Sequence, residues 1–410
     1  MERLYLDNFR GFSKQLIEIR NVNFLVGENS TGKSSVLMAL NTLSYPGFWL
    51  NLDFHSGDET QLYSFEDLVS VEAKDKTSFR IGKLYNNEEE VSFLFEFKNF
   101  FGRPAIASGI IEKDENLFIY YLEKEQVKYK VIRNQKLSLD MLEALTENEL
   151  NELETISIYT TNIPPVILLQ MCEHAISNKK EAFPSRFPTF DITPIAPIRS
   201  KPKKTYDEPG IVENSEGDHI PYEIRRIFKE YPNFFQNINN FGIRSGMFKK
   251  IDIKEYGKTD DAPFRMNFVL NKKPINISNI GYGVSQVLPI LYNIYTKNNT
   301  NITIQQPEVH LHPRAQAALG DIFFDLSKGK SKNRLIVETH SDYIIDRFRQ
   351  KQRKSPVKSD VHVLFFLREK GENKIFTINI DDNGNYDENQ PKEFREFFIN
   401  EGLENLGLYV

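Results

Sequence analysis

The stretch Gly27-Glu28-Asn29-Ser30-Thr31-Gly32-Lys33-Ser34 constrains this chain more than any other. It satisfies G-x-x-x-x-G-K-[ST] at every fixed position, a pattern whose backbone binds phosphate. Before it, Asn23-Phe24-Leu25-Val26 is a short apolar run of strand type; after it, Ser35-Val36-Leu37-Met38-Ala39-Leu40 places apolar residues at helical spacing. Strand, glycine loop and helix are therefore expected in that order. Gly27 and Gly32 let successive N–H groups turn inward on an anion, and the helix opening near Lys33 adds the positive end of its dipole. In such a loop Lys33 reaches the β- and γ-phosphates, and Ser34 offers its hydroxyl to Mg²⁺.

Around this unit the chain divides into recognisable stretches. Leu4 to Phe24 predicts two strands joined through Asn8-Phe9-Arg10-Gly11-Phe12, the second being Gln15–Ile19 with strict alternation. Ser44-Tyr45-Pro46-Gly47 breaks the loop helix, Phe48 to Gln61 reads as irregular, and order resumes at Ser64. From Val69 to about Ile132 short alternating runs predict an antiparallel meander, and Leu139 to about Ile156 and Pro165 to Ile176 predict helices. Residues 69–189 are thus expected to be an inserted β-meander and helical subdomain. Residues 1–68 and 190–410 would form a discontinuous core.

The last part of the chain completes an α/β pattern. Ile192 to Arg199 reads as a strand returning to the core, Pro221 to Phe235 as one helix, and Lys249–Lys254 and Arg265–Leu270 as strands. Ile302-Thr303-Ile304-Gln305-Gln306 is a strand stopped by Pro307, with Pro313 at a first helical position. Arg334 to His340 is another buried-type strand, and Ser341-Asp342 cap a helix from Tyr343 to Gln350. Strands alternating with helices imply a largely parallel sheet that binds ligands at the carboxyl ends of its strands.

Composition excludes more than it assigns. A chain of 410 residues with 40% hydrophobic residues can bury a core of one large domain or several smaller ones. A formal net charge of -5 supplies no global field for nucleic acid, so DNA would need a local basic patch. Arg199, Lys201, Lys203 and Lys204 offer one, and Arg347, Arg349, Lys351, Arg353, Lys354 and Lys358 another; the second run follows a helix, where a solvated face is the simpler reading. Cys172 is the single cysteine, so there is no disulfide framework and no cysteine metal site. No apolar run approaches the roughly 18 residues of a membrane span. A cytoplasmic protein without membrane contact is expected.

Three further stretches complete a constellation: Ile280-Gly281-Tyr282-Gly283-Val284-Ser285-Gln286, Gln305-Gln306-Pro307-Glu308-Val309-His310-Leu311-His312-Pro313, and Glu338-Thr339-His340-Ser341-Asp342. With Asn8 to Phe12, the P-loop and Ala196 to Pro202, they make the chain resemble the ABC-class ATPases related to RecF, SMC and the OLD nucleases. Within that group it is more similar to the stand-alone AAA-family ATPases of bacterial anti-phage systems such as Septu. The resemblance covers nearly the whole chain. It implies an ABC-type ATPase head with a mixed, largely parallel sheet, using ATP and Mg²⁺.

It also implies a homodimer, or higher oligomer, closed by nucleotide. ATP held by Gly27, Glu28, Asn29, Ser30, Thr31, Gly32, Lys33, Ser34 and Ser35, with Arg10, would be covered by Gly283, Ser285 and Gln286 of a second subunit. His340 would stand near the γ-phosphate as a switch, and Ser34 and the residue at 305 would serve Mg²⁺. The other readings are a plain helix N-terminus at 281–286 and a histidine without a role at 340. The resemblance places His312 where related ATPases contact a second subunit; a metal shared by His310 and His312 is the alternative, with no third ligand nearby.

The strand that carries two acidic residues in this family ends here in Gln305 and Gln306. An amide can hydrogen-bond a water but cannot take its proton, and it is a poorer Mg²⁺ ligand than a carboxylate. Slow natural turnover with Gln306, approach of Glu308 to the water, and engineered replacement are the three accounts. The first is preferred, and it expects little effect of Glu308→Ala on single-turnover rates. The implied function is an ATPase regulating a separately encoded effector, such as a nuclease. A non-catalytic ATP sensor and a DNA-end repair ATPase are the alternatives. A self-contained OLD-type nuclease lacks its acidic site: Glu369, Glu372, Asp381 and Asp382 are scattered.

Overall fold

The computed structural model describes residues 2–54, 62–73, 75–86, 90–123, 125–138, 140–141, 153–157, 162–177, 192–207, 212–228, 230–259, 261–270, 272–328, 333–388 and 390–396. The chain forms two compact units. The first comprises Met1–Arg20, Glu28–Phe190 and Phe366–Ile375; the second comprises Asn21–Gly27, Asp191–Phe365 and Phe376–Val410.

The first unit is built on an antiparallel sheet. Strands β1 (Glu2–Asp7), β2 (Gln15–Ile19), β4 (Ser78–Tyr85), β5 (Ser92–Phe100), β6 (Arg103–Lys113), β7 (Asn116–Glu123), β8 (Gln126–Ile132) and β9 (Glu154–Ser157) lie in the order β2-β1-β4-β5-β6-β7-β8-β9. The meander expected after Val69 is therefore continued by β1 and β2 into one sheet of eight strands. Helix α1 (Lys33–Ser44) buries Val36, Leu37, Met38, Ala39, Leu40 and Leu43, the stripe its spacing predicts.

Two local expectations are corrected in this unit. Phe48 is not in an irregular stretch: Pro46–Asn51 forms α2, with Pro46 at its first turn, where a missing N–H costs nothing. Phe48 and Trp49 are fully buried, the Trp49 indole donates to Leu43 O at 2.7 Å, and their rings join Phe54, Phe93 and Phe97 edge to face or tilted. The apolar payload of these aromatics outweighs the weak helical pattern of a six-residue segment. The helix expected over Leu139 to Ile156 lies mostly outside the described residues, but its end, Glu154–Ser157, pairs with β8 as a strand. Helices α3 (Phe65–Leu68) and α4 (Pro165–Ser177) complete the unit, α3 opened by a Ser64–Asp67 capping box.

Most of the parallel sheet lies in the second unit, while Phe366–Ile375, in its last two strands, is counted with the first. Strands β3 (Val22–Gly27), β10 (Ile192–Ile195), β14 (Asn301–Gln305), β15 (Arg334–Glu338), β16 (Val361–Glu369) and β17 (Glu372–Asn379) take the order β10-β14-β15-β3-β16-β17. Its first four strands are parallel, as expected of strands separated by helices. Ile304, Val337 and Phe24 stand in one row, and Gln305, Glu338 and Leu25 in the next, so β14 and β15 end at one level while β3 runs two residues further, to Gly27. A separate three-stranded antiparallel sheet orders β11 (Lys250–Glu255), β12 (Phe264–Val269) and β13 (Pro274–Asn276).

Helices α7 (Gly283–Thr296), α8 (Pro313–Ser327) and α9 (Asp342–Lys354) belong to this unit, and the Phe24 and Phe324 rings both meet Phe348 edge to face. The single helix expected from Pro221 to Phe235 is two, α5 (Ile220–Ile227) and α6 (Pro232–Ser245). Pro232 disfavours helical backbone at Tyr231, which adopts φ -123, and begins a new helix at its own first position. Among the described residues no helix is long and apolar enough to cross a membrane.

Candidate functional site

Strand β3 delivers the chain to the glycine loop at Gly27, whose φ of 148 is followed by left-handed backbone at Ser30 (φ 63) and Gly32 (φ 98). Within the loop the Glu28 carbonyl accepts from the Thr31 hydroxyl at 2.8 Å and from Lys33 Nζ at 2.6 Å. Lys33 is buried and Ser34 exposed, and Ser35 is intermediate. Helix α1 begins at Gly32 without a side-chain cap. The loop thus presents an ammonium and a helix N-terminus together, the chemistry that holds a polyphosphate.

The turn from Asn8 to Phe12 supports this loop. A Cβ on Gly32 would lie 2.5 Å from Phe12 Cζ and 2.7 Å from Asn373 Nδ2. Asn373 donates its backbone N–H to Gly11 O at 2.8 Å and its side chain to Arg10 O at 3.3 Å. Arg10 sits over the Tyr63 ring at 5.0 Å and donates to Met38 Sδ of α1 at 2.9 Å. Asn373 was not singled out in the sequence, because it lies 363 residues from Arg10 with no motif around it.

In the second unit the strand ends gather the other candidates. Gln305 closes β14 beside the buried Glu338 of β15; Gln306 follows in left-handed backbone, φ 44, donating its N–H to Glu338 O at 2.8 Å. Both glutamines are partly buried. Glu308 accepts from the Thr339 hydroxyl through Oε2 and from the His340 backbone N–H through Oε1, each at 2.8 Å. Ser341 caps α9, donates to Gln316 Oε1 at 2.6 Å, and gives its N–H to Thr339 Oγ1 at 3.0 Å. The segment 339–341 is thereby tied to the loop after β14 and to α8.

The loop expected to cover a second subunit's nucleotide divides in two. Gly281 is exposed and Tyr282 intermediate, whereas Gly283, Ser285 and Gln286 lie buried in the first turn of α7. Ser285 donates to Tyr282 O at 2.7 Å. Gln286 is 1% exposed and is engaged within its own subunit: its Nε2 donates to Arg199 O at 3.2 Å and its Oε1 accepts from Arg199 N at 3.3 Å. Gly283 meets the loop after β14, where a Cβ would lie 2.6 Å from His310 O, and the Tyr282 and His310 rings stand edge to face at 5.0 Å.

Arg199 is the residue that sequence reasoning undervalued. It is 1% exposed, and its Nη2 donates to Gln305 O at 2.7 Å. Burial pulls its guanidinium down to about 10, opposed by the Glu308 carboxylate. In the sequence it stood at the end of a returning strand, within the Ala196 to Pro202 stretch and as the first of a basic group, with no role of its own. His312 caps α8, its Nδ1 accepting from Arg314 N at 3.3 Å. Among the described residues no group of three His, Cys, Asp or Glu side chains is arranged to hold a metal.

The second basic run is largely engaged in internal contacts. Arg349 lies over the Tyr386 ring at 3.8 Å and donates to Gly384 O, Arg353 donates to Asn383 O, and Lys358 donates to Asp382 O. Arg347 and Lys351 face Asp321 at 4.0 and 3.9 Å. Arg349 and Arg353 thus fasten the turn after β17 to α9, Lys358 binds the same turn, and Arg347 and Lys351 face α8.

Comparison with curated proteins gives no match. Among solved structures, an Smc head bound to the C-winged helix domain of ScpA is similar at 12% identity, covering 92% of this chain and 97% of its own, with a TM-score of 0.48. The SMC head domain from Thermotoga maritima is 12% identical, covering 92% and 98%, with a TM-score of 0.39. A Pyrococcus furiosus Smc head bound to the C-terminal domain of ScpA is 10% identical over 92% and 97%, with a TM-score of 0.42. The family described as AAA ATPase domain matches residues 1–182 and 199–345, a span that takes in the glycine loop, Gln286, both glutamines of β14 and His340. This α/β chain belongs to the AAA ATPase domain family.

Proposed function

We propose that the chain is a slow ATPase that works as an ATP-closed dimer, binding nucleotide at Gly27 to Ser35 and turning it over sparingly. The observation that carries this reading is the amide pair at the end of β14. Gln305 and Gln306 occupy the position where a hydrolytic centre places its carboxylates, and the nearest acid in the stretch, Glu308, has both oxygens bonded to Thr339 and His340. A site that keeps its phosphate loop and lacks a free base there retains ATP longer than it cleaves it. Ser34 and Gln305 remain the proposed Mg²⁺ contacts, Arg10 a nucleotide contact, and His340 the γ-phosphate switch. In this reading the dimer covers its nucleotide with Gly281 and Tyr282, since Gln286 is bonded to Arg199.

Regulation of a separately encoded effector, in the manner of anti-phage ATPases, is the proposed role of that dimer, in the cytoplasm. Residues 1–68 and 190–410 serve as the ATPase core in this scheme. The test combines ATP titration calorimetry, phosphate release and light scattering with and without ATP, on wild type and Lys33→Ala. ATP-dependent dimerisation of wild type and its loss in the variant are expected. A Lys33→Ala protein that still dimerises with ATP overturns the reading.

A further inference from the structure

Glu308 carries the most chemistry of any residue in the second unit that nucleotide contact does not explain. Its two carboxylate oxygens reach two different groups of one segment, the Thr339 hydroxyl and the His340 N–H. The Thr339 hydroxyl accepts in turn from Ser341 N, and Ser341 binds Gln316, whose Nε2 donates to Leu311 O at 2.8 Å. The segment 339–341 is therefore held by the loop that follows β14, directly at residue 308 and through Gln316 at residue 311. The buried Arg199 guanidinium, whose Nε and Nη1 make no hydrogen bond among the described residues, feels the charge of Glu308.

We propose that Glu308 is a positioning residue for His340: its carboxylate, bonded to the Thr339 hydroxyl and the His340 N–H, fixes the backbone of residues 339–340. This rests on the ATPase reading for its consequence in turnover, though not for its geometry. Each oxygen of this carboxylate already accepts one hydrogen bond from residues 339–340, so its orientation is set by the segment it holds. The expectation that Glu308→Ala would leave turnover nearly unchanged is thereby replaced. Loss of the carboxylate frees the His340 N–H and the Thr339 hydroxyl together and slows hydrolysis through His340.

The test uses Glu308→Ala, Glu308→Gln and Thr339→Val in the full chain. The His340 imidazole signal, assigned by its loss in His340→Gln, is followed by NMR over a pH series without nucleotide, alongside ATP affinity and single-turnover ADP formation. In Glu308→Ala the His340 signal and its titration midpoint are expected to move. Hydrolysis is expected to fall about tenfold with ATP affinity within about twofold. Glu308→Gln, which keeps an acceptor oxygen, and Thr339→Val, which removes one of the two bonds, should lie between Glu308→Ala and wild type. An unmoved His340 signal in Glu308→Ala overturns the proposal, as does a Glu308→Gln protein as slow as Glu308→Ala. Failure of wild type to bind ATP would overturn the functional reading, while the His340 signal still decides this one.

Discussion

Gln286 and Arg199 exchange two hydrogen bonds across 87 residues of sequence, side-chain amide to backbone N–H and C=O, with both residues buried at 1% exposure. The first turn of α7 is thereby bonded to the segment that follows β10. The Arg199 guanidinium in turn holds the Gln305 carbonyl, so three separate stretches of chain meet at one residue, through its backbone and its side chain. Gln286→Leu leaves the Arg199 N–H and C=O buried without partners. Loss of about 2–4 kcal/mol of stability is expected, read from urea unfolding of the nucleotide-free protein. A variant of wild-type stability that fails only in dimerisation would return Gln286 to the subunit interface.

Gly32 has no room for a side chain and a backbone that disfavours one: φ is 98, with Phe12 Cζ and Asn373 Nδ2 within 2.7 Å of the Cβ position. Gly32→Ala should cost about 1–3 kcal/mol from the left-handed conformation, and more if Phe12 cannot move. Thermal unfolding without nucleotide separates this loss from any loss of phosphate contact, and an unchanged midpoint would contradict the packing of Phe12 on the loop.

Gln306→Glu restores a carboxylate where β14 ends, keeping the size of the side chain and the left-handed backbone at φ 44. Phosphate release is expected to rise by about tenfold or more, since a positioned base contributes rate that an amide cannot. Turnover that stays flat in Gln306→Glu, with ATP still bound, would show that the slow step lies elsewhere.

His219 supplies a pH dependence. Burial holds its imidazole below the ordinary value, against the opposing pull of Glu213, Glu223 and Asp218, and its Nδ1 accepts from Asn214 N at 3.3 Å. The folded state therefore prefers the neutral ring. As pH falls through about 6.5 the unfolded chain takes up the proton first, so stability is full above that pH and declines below it until the folded ring also titrates. His219→Gln removes the titration and keeps an acceptor, and its melting temperature should fall less than that of wild type between about pH 7.5 and pH 5.5. Equal falls would place the acid sensitivity in other groups.

What the sequence by itself determined is what depends on neighbours in the chain. The glycine loop, the strand before it and helix α1 were legible because backbone freedom at Gly27 and Gly32 and the apolar stripe of α1 are local properties. The same holds for the strands ending at Gln305 and Glu338, for the proline that opens α8, and for Ser341 as the cap of α9. Tertiary structure alone decided what those ends touch. Short segments were settled by burial, as Phe48 and Trp49 drew α2 out of a stretch with no pattern. Arg199 became a buried junction, Glu308 a clasp on His340, and Asn373 a brace for Gly11, because each pairing spans between 32 and 363 residues. Hydrogen bonds at that separation follow from which strands stand side by side, and strand order is a property of the whole sheet.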